Sequence, residues 1–377
     1  MKLVATVKLL VDLEQKTRLL ATMERINEAC SWLAERAFEL QSADKIRLQK
    51  LHYRDLREMF GLSSQHAVRA LSKVCEAYKR DRSKCPVFRK YGAVVYDQRL
   101  YTFKHGLDRV SLLALDGRIV VPCAVGDYHR GRLEGVRGQA DLVYRKGKLY
   151  LFVSVDVPDG SPVETKDWLG VDLGIRNLAF DSDGKPYTGA AIEKVRQRHQ
   201  RLRSVLQSVG TKSSKRHLKR LSGREARFRS NTNHIVSKCI VAKAKDTARG
   251  IALEDLTYIR ERATVRKSQR SMHSGWSFFQ LRAFLAYKGL LAGVPVVVVD
   301  PRGTSRICTQ CGHNDKANRR SQSEFVCKSC GFSDHADHIG AVNIARRAAV
   351  SRPFVAAIGR ETHSRDTSSR LVTSSSL

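Results

Sequence analysis

The sequence predicts a multidomain chain of mixed α/β and α+β class. Its 377 residues exceed what one small core fills. Short alternating strands with turn signals crowd residues 86–160, whereas strands and helices take turns from 168 onward. Two C-x-x-C pairs, Cys308/Cys311 and Cys327/Cys330, sit just ahead of the last helical segment.

In chain order, residues 2–12 alternate like a strand and lead into a helix whose apolar positions Leu19, Met23, Ile26, Cys30, Leu33 and Ala37 step by four and three. A second helical patch covers 51–80, and Leu56 to Leu71 reads as helix, turn at Gly61, and a helix opened by Ser63-Ser64. That pattern is similar to a helix-turn-helix, although many helical bundles share it. After the basic stretch Lys79 to Lys90, Asp116-Gly117, Gly126-Asp127 and Lys146-Gly147-Lys148 separate runs such as Ile119-Val120-Val121 and Leu149 to Val157. These predict a small antiparallel barrel or sheet. Pro158-Asp159-Gly160-Ser161-Pro162 marks a boundary.

The C-terminal half opens with the strand Trp168 to Ile175, then Asn177 to Phe180 and a turn at Asp181-Ser182-Asp183-Gly184. A long basic helical stretch, 188–248, is interrupted near Gly210 to Ser214 and followed by the strand Gly250 to Leu256. A polar loop, 257–275, precedes an amphipathic helix carrying Trp276, Phe279, Ala283, Tyr287 and Leu290; Gly293 ends it, and Val294 to Val299 reads as a buried strand. The last helix covers about 337–349. Residues 351–377, rich in Ser, Thr and Arg without apolar periodicity, predict a disordered tail.

Composition narrows the function. The chain holds 68 Lys and Arg against 37 Asp and Glu, a net charge of +31. Such an excess repels itself unless a polyanion shares the surface, so nucleic acid is the expected partner, bound more weakly as salt rises. The charge thickens at 191–230, where 13 basic residues meet only Glu193 and Glu225. No apolar run reaches the length of a membrane span, and Met1 to Val7 alternates too regularly for a signal peptide, which predicts a cytoplasmic, nucleoid-associated protein with no membrane contact. Of nine cysteines, Cys30, Cys75, Cys85, Cys123 and Cys239 are scattered and read as small buried apolar residues rather than a disulfide framework.

The other four cysteines predict one structural Zn2+. Two C-x-x-C turns fifteen residues apart, each followed by a glycine (Gly312, Gly331), set four thiolates around one tetrahedral ion. A four-thiolate site has no open position for substrate, so its role is to hold the loop between the last strand and the last helix.

Chemistry points instead to Asp172, Glu254 and Asp337. Leu169, Val171 and Leu173 share one face of their strand, so Asp172 points the other way with Gly170 and Gly174. Ile251 and Leu253 likewise leave Glu254 opposite. One such carboxylate is commonly a capped strand end; three, on strand, strand and helix, favour a shared divalent-metal site. This order of elements resembles the RNase H-like fold of RuvC-type nucleases, whose acidic triad binds two Mg2+ ions.

A narrower resemblance rests on Gly170 to Asn177, Leu253-Glu254-Asp255-Leu256, Thr304 to Gly312, Asp337 to Ile344, and the helix Trp276 to Gly293. Together these are similar to the successive motifs of TnpB proteins, transposon-encoded RNA-guided DNA nucleases related to type V CRISPR effectors. The likeness is specific over 168–347 and looser before it. It implies a β-barrel wedge domain at 1–12 and 86–160, a helical recognition domain at 13–85, a RuvC-like nuclease domain at 161–350, and a zinc ribbon inserted at 300–335. It also implies a noncoding guide RNA, double-stranded and displaced single-stranded DNA as targets, and a short adjacent DNA motif. The sequence leaves the oligomeric state open, with a monomer favoured. Under it, Arg196, Arg198, Arg201, Arg203, Lys215, Arg216, Lys219 and Arg220 contact phosphates. Arg262, Arg266, Lys267 and Arg270 form a lid, and Tyr53, Gln65 and Arg69 read the adjacent motif. The chain departs from the family pattern at His335-Ala336-Asp337 and Ile339-Gly340-Ala341, where the family often has His-Arg-Asp and Asn-Ala-Ala.

Three other readings stand beside this one. A non-cutting RNA-guided repressor of the same fold does not need the intact acids. A DDE-type transposase normally places its Glu last and on a helix. A plain zinc-ribbon binder leaves the strand carboxylates unexplained.

Overall fold

The computed structural model describes residues 1–174, 177–255, 278–321 and 323–350, and the chain divides into two compact units, Met1–Pro158 and Asp159–Leu377. The predicted tail at 351–377 and the loop at 257–275 lie outside the described residues.

The first unit begins with strand β1 (Lys2–Leu9) and helix α1 (Leu13–Glu39). Asp12 and Gln15 close a capping box at the start of α1, satisfying amides that the first turn leaves without partners. The predicted stripe Leu19, Met23, Ile26, Cys30, Leu33 and Ala37 is the buried face. Helices α2 (Lys45–Glu58) and α3 (Ser64–Tyr78) follow; Gly61, at φ +62°, makes the turn between them and Ser63 caps α3.

Seven antiparallel strands complete this unit. They are β1, β2 (Val94–Tyr96), β3 (Tyr101–Lys104), β4 (Arg109–Ala114), β5 (Gly117–Ala124), β6 (Val136–Arg145) and β7 (Lys148–Asp156), ordered β2-β6-β7-β1-β5-β4-β3. Strict alternation of buried and less buried side chains along β7 aims one face at the core. No backbone ladder joins the two ends, but the Tyr101 hydroxyl donates to the Gly138 carbonyl at 2.6 Å and Gln98 to that of Arg137 at 2.5 Å. The result is a curled sheet whose open side is stitched by side chains. Of the predicted turns, Gly126-Asp127 instead opens a short helix, α4 (Asp127–Leu133), with Gly126 at its N-cap.

The second unit is built on β8 (Asp167–Asp172), β9 (Asn177–Asp181), β10 (Pro186–Thr188), β11 (Arg249–Glu254) and β12 (Val296–Val299), ordered β10-β9-β8-β11-β12. β8, β11 and β12 run parallel, and β9 and β10 antiparallel. Helices α5 (Ala190–Val209) and α6 (Lys212–Asp246) connect β10 to β11, and α7 (Phe278–Ala292) precedes β12. The basic stretch breaks where expected: Gly210 adopts φ +66° and Thr211 caps α6.

Period-two patterning decides the layers. Leu169, Val171, Ile251 and Leu253 pack with Ile240 of α6 and Leu281 and Leu285 of α7. The opposite face, Ala252, Val297 and Val299, packs with Ile344 and Ala348 of the last helix, α8 (Ala336–Val350). One expectation fails at α7, where the buried side chains are Leu281 and Leu285 while Phe279 is 83% exposed and Leu290 40%. The helix is apolar nearly all round, so its sequence carries no phase with which to choose a face.

Between β12 and α8 lies the cysteine knuckle, with a small hairpin of β13 (Glu324–Val326) and β14 (Ser333–His335). Among the described residues no helix is long and apolar enough to cross a membrane.

Candidate active site and metal centre

Close contact between β8 and α8 sets the position of the acids. A Cβ on Gly170 would lie 1.9 Å from the Ala341 carbonyl oxygen, so only glycine lets α8 approach this strand. Asp172, two residues on, therefore faces the same helix, and a Cβ on Gly340 would come within 3.0 Å of its Oδ2. Glu254 ends the neighbouring parallel strand β11, and Asp337 stands in the first turn of α8. Two strand ends and one helix start thus supply three carboxylates to one place.

Electrostatics mark this place as unusual. Burial, reinforced by the charges of Glu254 and Asp337, pushes the Asp172 carboxyl well above its ordinary value, while Arg319 pulls it down. Burial also raises Glu254, against a hydrogen bond from Thr304 and the positive charges of Arg319 and Arg347. Asp337 is only 9% exposed. Three carboxylates, one buried and two partly buried, with Arg319 the arginine common to all of them, form an all-oxygen donor set of the kind that suits a hard divalent cation.

Second partners fix the acids. Thr304, itself buried, donates its hydroxyl to Glu254 Oε1. Asn177 donates to Asp337 Oδ2 at 3.0 Å, and Arg319 Nη2 lies 3.7 Å from Asp337 Oδ1. The Asp337 amide donates to His335 Nδ1 at 3.2 Å, and the His335 ring stacks on Phe180 of β9 at 5.0 Å. Of these partners, Arg319 went unnoticed in the sequence, and Asn177 and Thr304 figured there only as parts of motifs. Each acts through a neighbour from another segment, so no local pattern announces it.

The cysteine knuckle is a separate centre. The ligand atoms of Cys308, Cys311, Cys327 and Cys330 all lie within 4.8 Å of one another, the only such group of metal-type side chains among the described residues; the carboxylates are more widely spread. Sγ separations of 3.7 Å (Cys308 to Cys330) and 3.5 Å (Cys311 to Cys327) approach the ~3.8 Å edge of a tetrahedron with Zn–S bonds of ~2.3 Å. Gly312 and Gly331 adopt φ +74° and +75°, as the tight turns require. This cluster fits a zinc ribbon.

Buried Asn318 organises the knuckle from within, donating to the carbonyls of Arg306 and His313 at 2.9 and 3.1 Å and accepting from the Lys328 amide at 2.8 Å. Asn343 of α8 donates to the carbonyls of Thr304 and Ile307, both at 2.8 Å. The knuckle thereby holds both Thr304, which touches Glu254, and Arg319, which approaches Asp337.

Two family models match this unit and the end of the first. Residues 152–258 match the family described as "Probable transposase", and 278–344 match the "Cas12f1-like, TNB domain". The CRISPR-associated endodeoxyribonuclease Cas12f1 of Sulfoacidibacillus thermotolerans is 33% identical over 219 residues, 53% of this chain and 50% of that protein. InsQ of Escherichia coli (strain K12), which bears the name of an RNA-guided DNA endonuclease, is 28% identical across 74% of this chain and 72% of its own. A TnpB-like protein of Methanocaldococcus jannaschii is 24% identical across 65% and 92%. Over these regions the chain is similar to TnpB-like and Cas12f proteins. It spans half the length of that Cas12f1 relative. A solved structure of the mini-RNA-guided endonuclease CRISPR-Cas_phi3, 10% identical, matches the fold with a TM-score of 0.53 over 94% of this chain and 93% of that one.

The basic residues singled out in the sequence divide into two groups. Arg198, Arg201, Lys215, Arg216, Lys219 and Arg220 are exposed on α5 and α6. Arg196 and Arg203 are half-buried and engaged, Arg196 with Glu193 at 2.7 Å and Arg203 with the buried Glu225 at 2.7 Å. In the first unit, Gln65 and Arg69 both bind Asp97, Arg69 at 3.0 Å, and Tyr53 packs partly buried against the core. Arg262, Arg266, Lys267 and Arg270 lie outside the described residues.

Proposed function

We propose that this protein is an RNA-guided DNA endonuclease that cuts a target matched by its guide, next to a short motif, by two-metal-ion phosphodiester hydrolysis. The observation that carries the proposal is the cluster of buried Asp337 with the partly buried Asp172 and Glu254, the latter two with raised proton affinity. The sheet order β10-β9-β8-β11-β12, with an antiparallel hairpin followed by parallel strands and a helix on each side, supports a RuvC-like nuclease domain at 161–350. The names of the Cas12f1 and InsQ relatives support the RNA-guided reading.

In this reading Asp172, Glu254 and Asp337 would hold two Mg2+ ions. The ions would activate water and stabilise the leaving oxygen. The chain itself supplies orientation: Thr304 fixes the Glu254 carboxylate, Asn177 that of Asp337, and Arg319 faces the same cluster as a fixed positive charge. Cys308, Cys311, Cys327 and Cys330 would bind one structural Zn2+ that keeps Thr304 and Arg319 in register with α8. The exposed arginines and lysines of α5 and α6 would line the guide or heteroduplex, and 1–12 with 86–160 and 13–85 would act as wedge and recognition domains.

The deciding experiment copurifies the protein with cellular RNA, sequences that RNA, and offers Mg2+ with matched double-stranded DNA. Cleavage that disappears in Asp172→Ala supports the proposal. Bound but uncut DNA with the native protein would favour a guided repressor, and the absence of a discrete RNA would overturn the guided reading. One Zn2+ per chain, lost with chelator and accompanied by loss of cleavage, tests the knuckle.

A further inference from the structure

A pocket in the first unit, remote in sequence from Asp172, Glu254 and Asp337, joins an exposed aromatic ring to cationic side chains. It measures about 660 Å3, within the ~300–1,000 Å3 typical of small-molecule sites. It lies among the C-terminal end of α1, the turn into α2 and the C-terminal end of α3. Cys75 and Tyr78, 8% and 4% exposed, form an apolar floor, and the Phe38 ring is 45% exposed on the lip.

The rim is cationic. Lys79 and Arg82 line it and are exposed, and among the described residues neither side chain has a hydrogen bond or ion pair. The one acid on the rim, Asp44, is committed to the amide of Arg47 at 2.8 Å as the cap of α2. An aromatic face above an apolar floor takes a base, and free cations beside it take a phosphate. A bland alternative is that Lys79 and Arg82 merely offset the carbonyl ends of α1 and α3. That would account for the charge but not for an exposed phenyl ring over a cavity.

We infer that this pocket receives one unstacked nucleotide of a single strand, its base on Phe38 and its phosphate on Lys79 and Arg82. The inference rests on the reading of the chain as a nucleic-acid-binding protein and adds a site to it. The strand can be RNA or DNA, since both present the same base and phosphate.

The test photo-crosslinks the full chain to single-stranded RNA carrying 4-thiouridine and, separately, to DNA carrying 4-thiothymidine, and maps the labelled peptides. Label should appear within 37–44 or 75–83. In the exposed-residue variants Lys79→Glu with Arg82→Glu, and Phe38→Ala, it should fall roughly tenfold, the loss of one or two phosphate or stacking contacts, while label on α5 and α6 persists. The ratio of the two arms assigns the strand. Label confined to α5 and α6, or unchanged in the variants, overturns the pocket and leaves the proposed function standing. No label anywhere, with no cleavage, overturns both. Melting of each variant, unchanged from the native protein, excludes unfolding as the cause.

Discussion

Two acidic clusters sit on the sheet of the second unit, and they differ in what balances them. Around Asp181 and Asp183 the protein supplies its own cations. Lys243 Nζ lies 2.7 Å from Asp181 and 2.8 Å from Asp183, and Arg249 grips Asp183 with two bonds of 2.8 and 2.6 Å. Asp181, fully buried, also accepts from the Tyr187 hydroxyl at 3.2 Å and from two backbone amides. These bonds to Arg249 and Lys243 hold the Asp183 carboxyl far below the usual carboxylate range. Around Asp172, Glu254 and Asp337 the balance is reversed: burial and mutual repulsion raise Asp172, and Arg319 is the nearby cation common to Asp172, Glu254 and Asp337. A buried acid that the fold neutralises is architecture; one left under-neutralised is poised for an external cation.

Paired substitutions test the contrast most strongly. Asp172→Ala should abolish cleavage, by about 10³-fold or more, yet leave the melting temperature of the metal-free protein unchanged or higher, because it removes a buried like charge. Lys243→Ala should do the opposite, lowering stability by about 3 kcal/mol in urea unfolding by stranding the buried Asp181. A destabilised Asp172→Ala or an unaffected Lys243→Ala would erase the distinction.

A packing version of the same comparison comes next. Gly170→Ala puts a methyl group 1.9 Å from the Ala341 carbonyl, so α8 and Asp337 must move away from β8. Melting should fall by several degrees, corresponding to about 2 kcal/mol, and cleavage should fall with it.

Protonation sharpens the difference further. Asp172 has a raised folded-state affinity for its proton, so the folded protein binds more protons than the unfolded chain above the ordinary value of 3.8. Its contribution to stability is therefore fully present at low pH and is lost as pH rises through the folded value. Mg2+ should raise the melting temperature more at about pH 8 than at about pH 5.5, where the proton competes. Equal shifts at both pH values, or a shift that survives in Asp172→Asn, would count against a cation site there. Asp183, depressed by its partners, contributes in the opposite sense: its stabilisation is present above the ordinary value of 3.8 and is lost as pH falls below it.

The smallest effect concerns the departure from the TnpB pattern. Gly340→Ala restores a residue common in the family and gains up to ~1 kcal/mol of helix propensity, but its methyl group meets Asp172 Oδ2 at 3.0 Å. Melting should change by no more than a few degrees while cleavage falls severalfold. A gain in cleavage would mean that the Asp172 carboxylate shifts into a better position.

Local signals made much of this molecule legible. Ser63 announced a helix start, Gly210 to Ser214 a break, and the period of Leu19 to Ala37 a buried stripe, because each depends on residues within a turn or two. The acids were legible because a carboxylate in an apolar strand stands out. What was not legible was long-range. Gln65 and Arg69, offered as readers of a DNA motif, are bound by Asp97, which lies on a different segment. The buried face of α7 was chosen by the sheet it covers, not by its own nearly uniform apolar sequence.

By itself, then, the sequence determined the layered α/β unit and the four-cysteine cluster and singled out three acids as candidates, since spacing and strand alternation are properties of the chain. Only the tertiary structure decided that Asp172, Glu254 and Asp337 lie close enough to shift one another's charge, and that Thr304, Asn177 and Arg319 steady them. Charge interactions depend on distance through space and on burial, and neither exists until β8, β11 and α8 have packed.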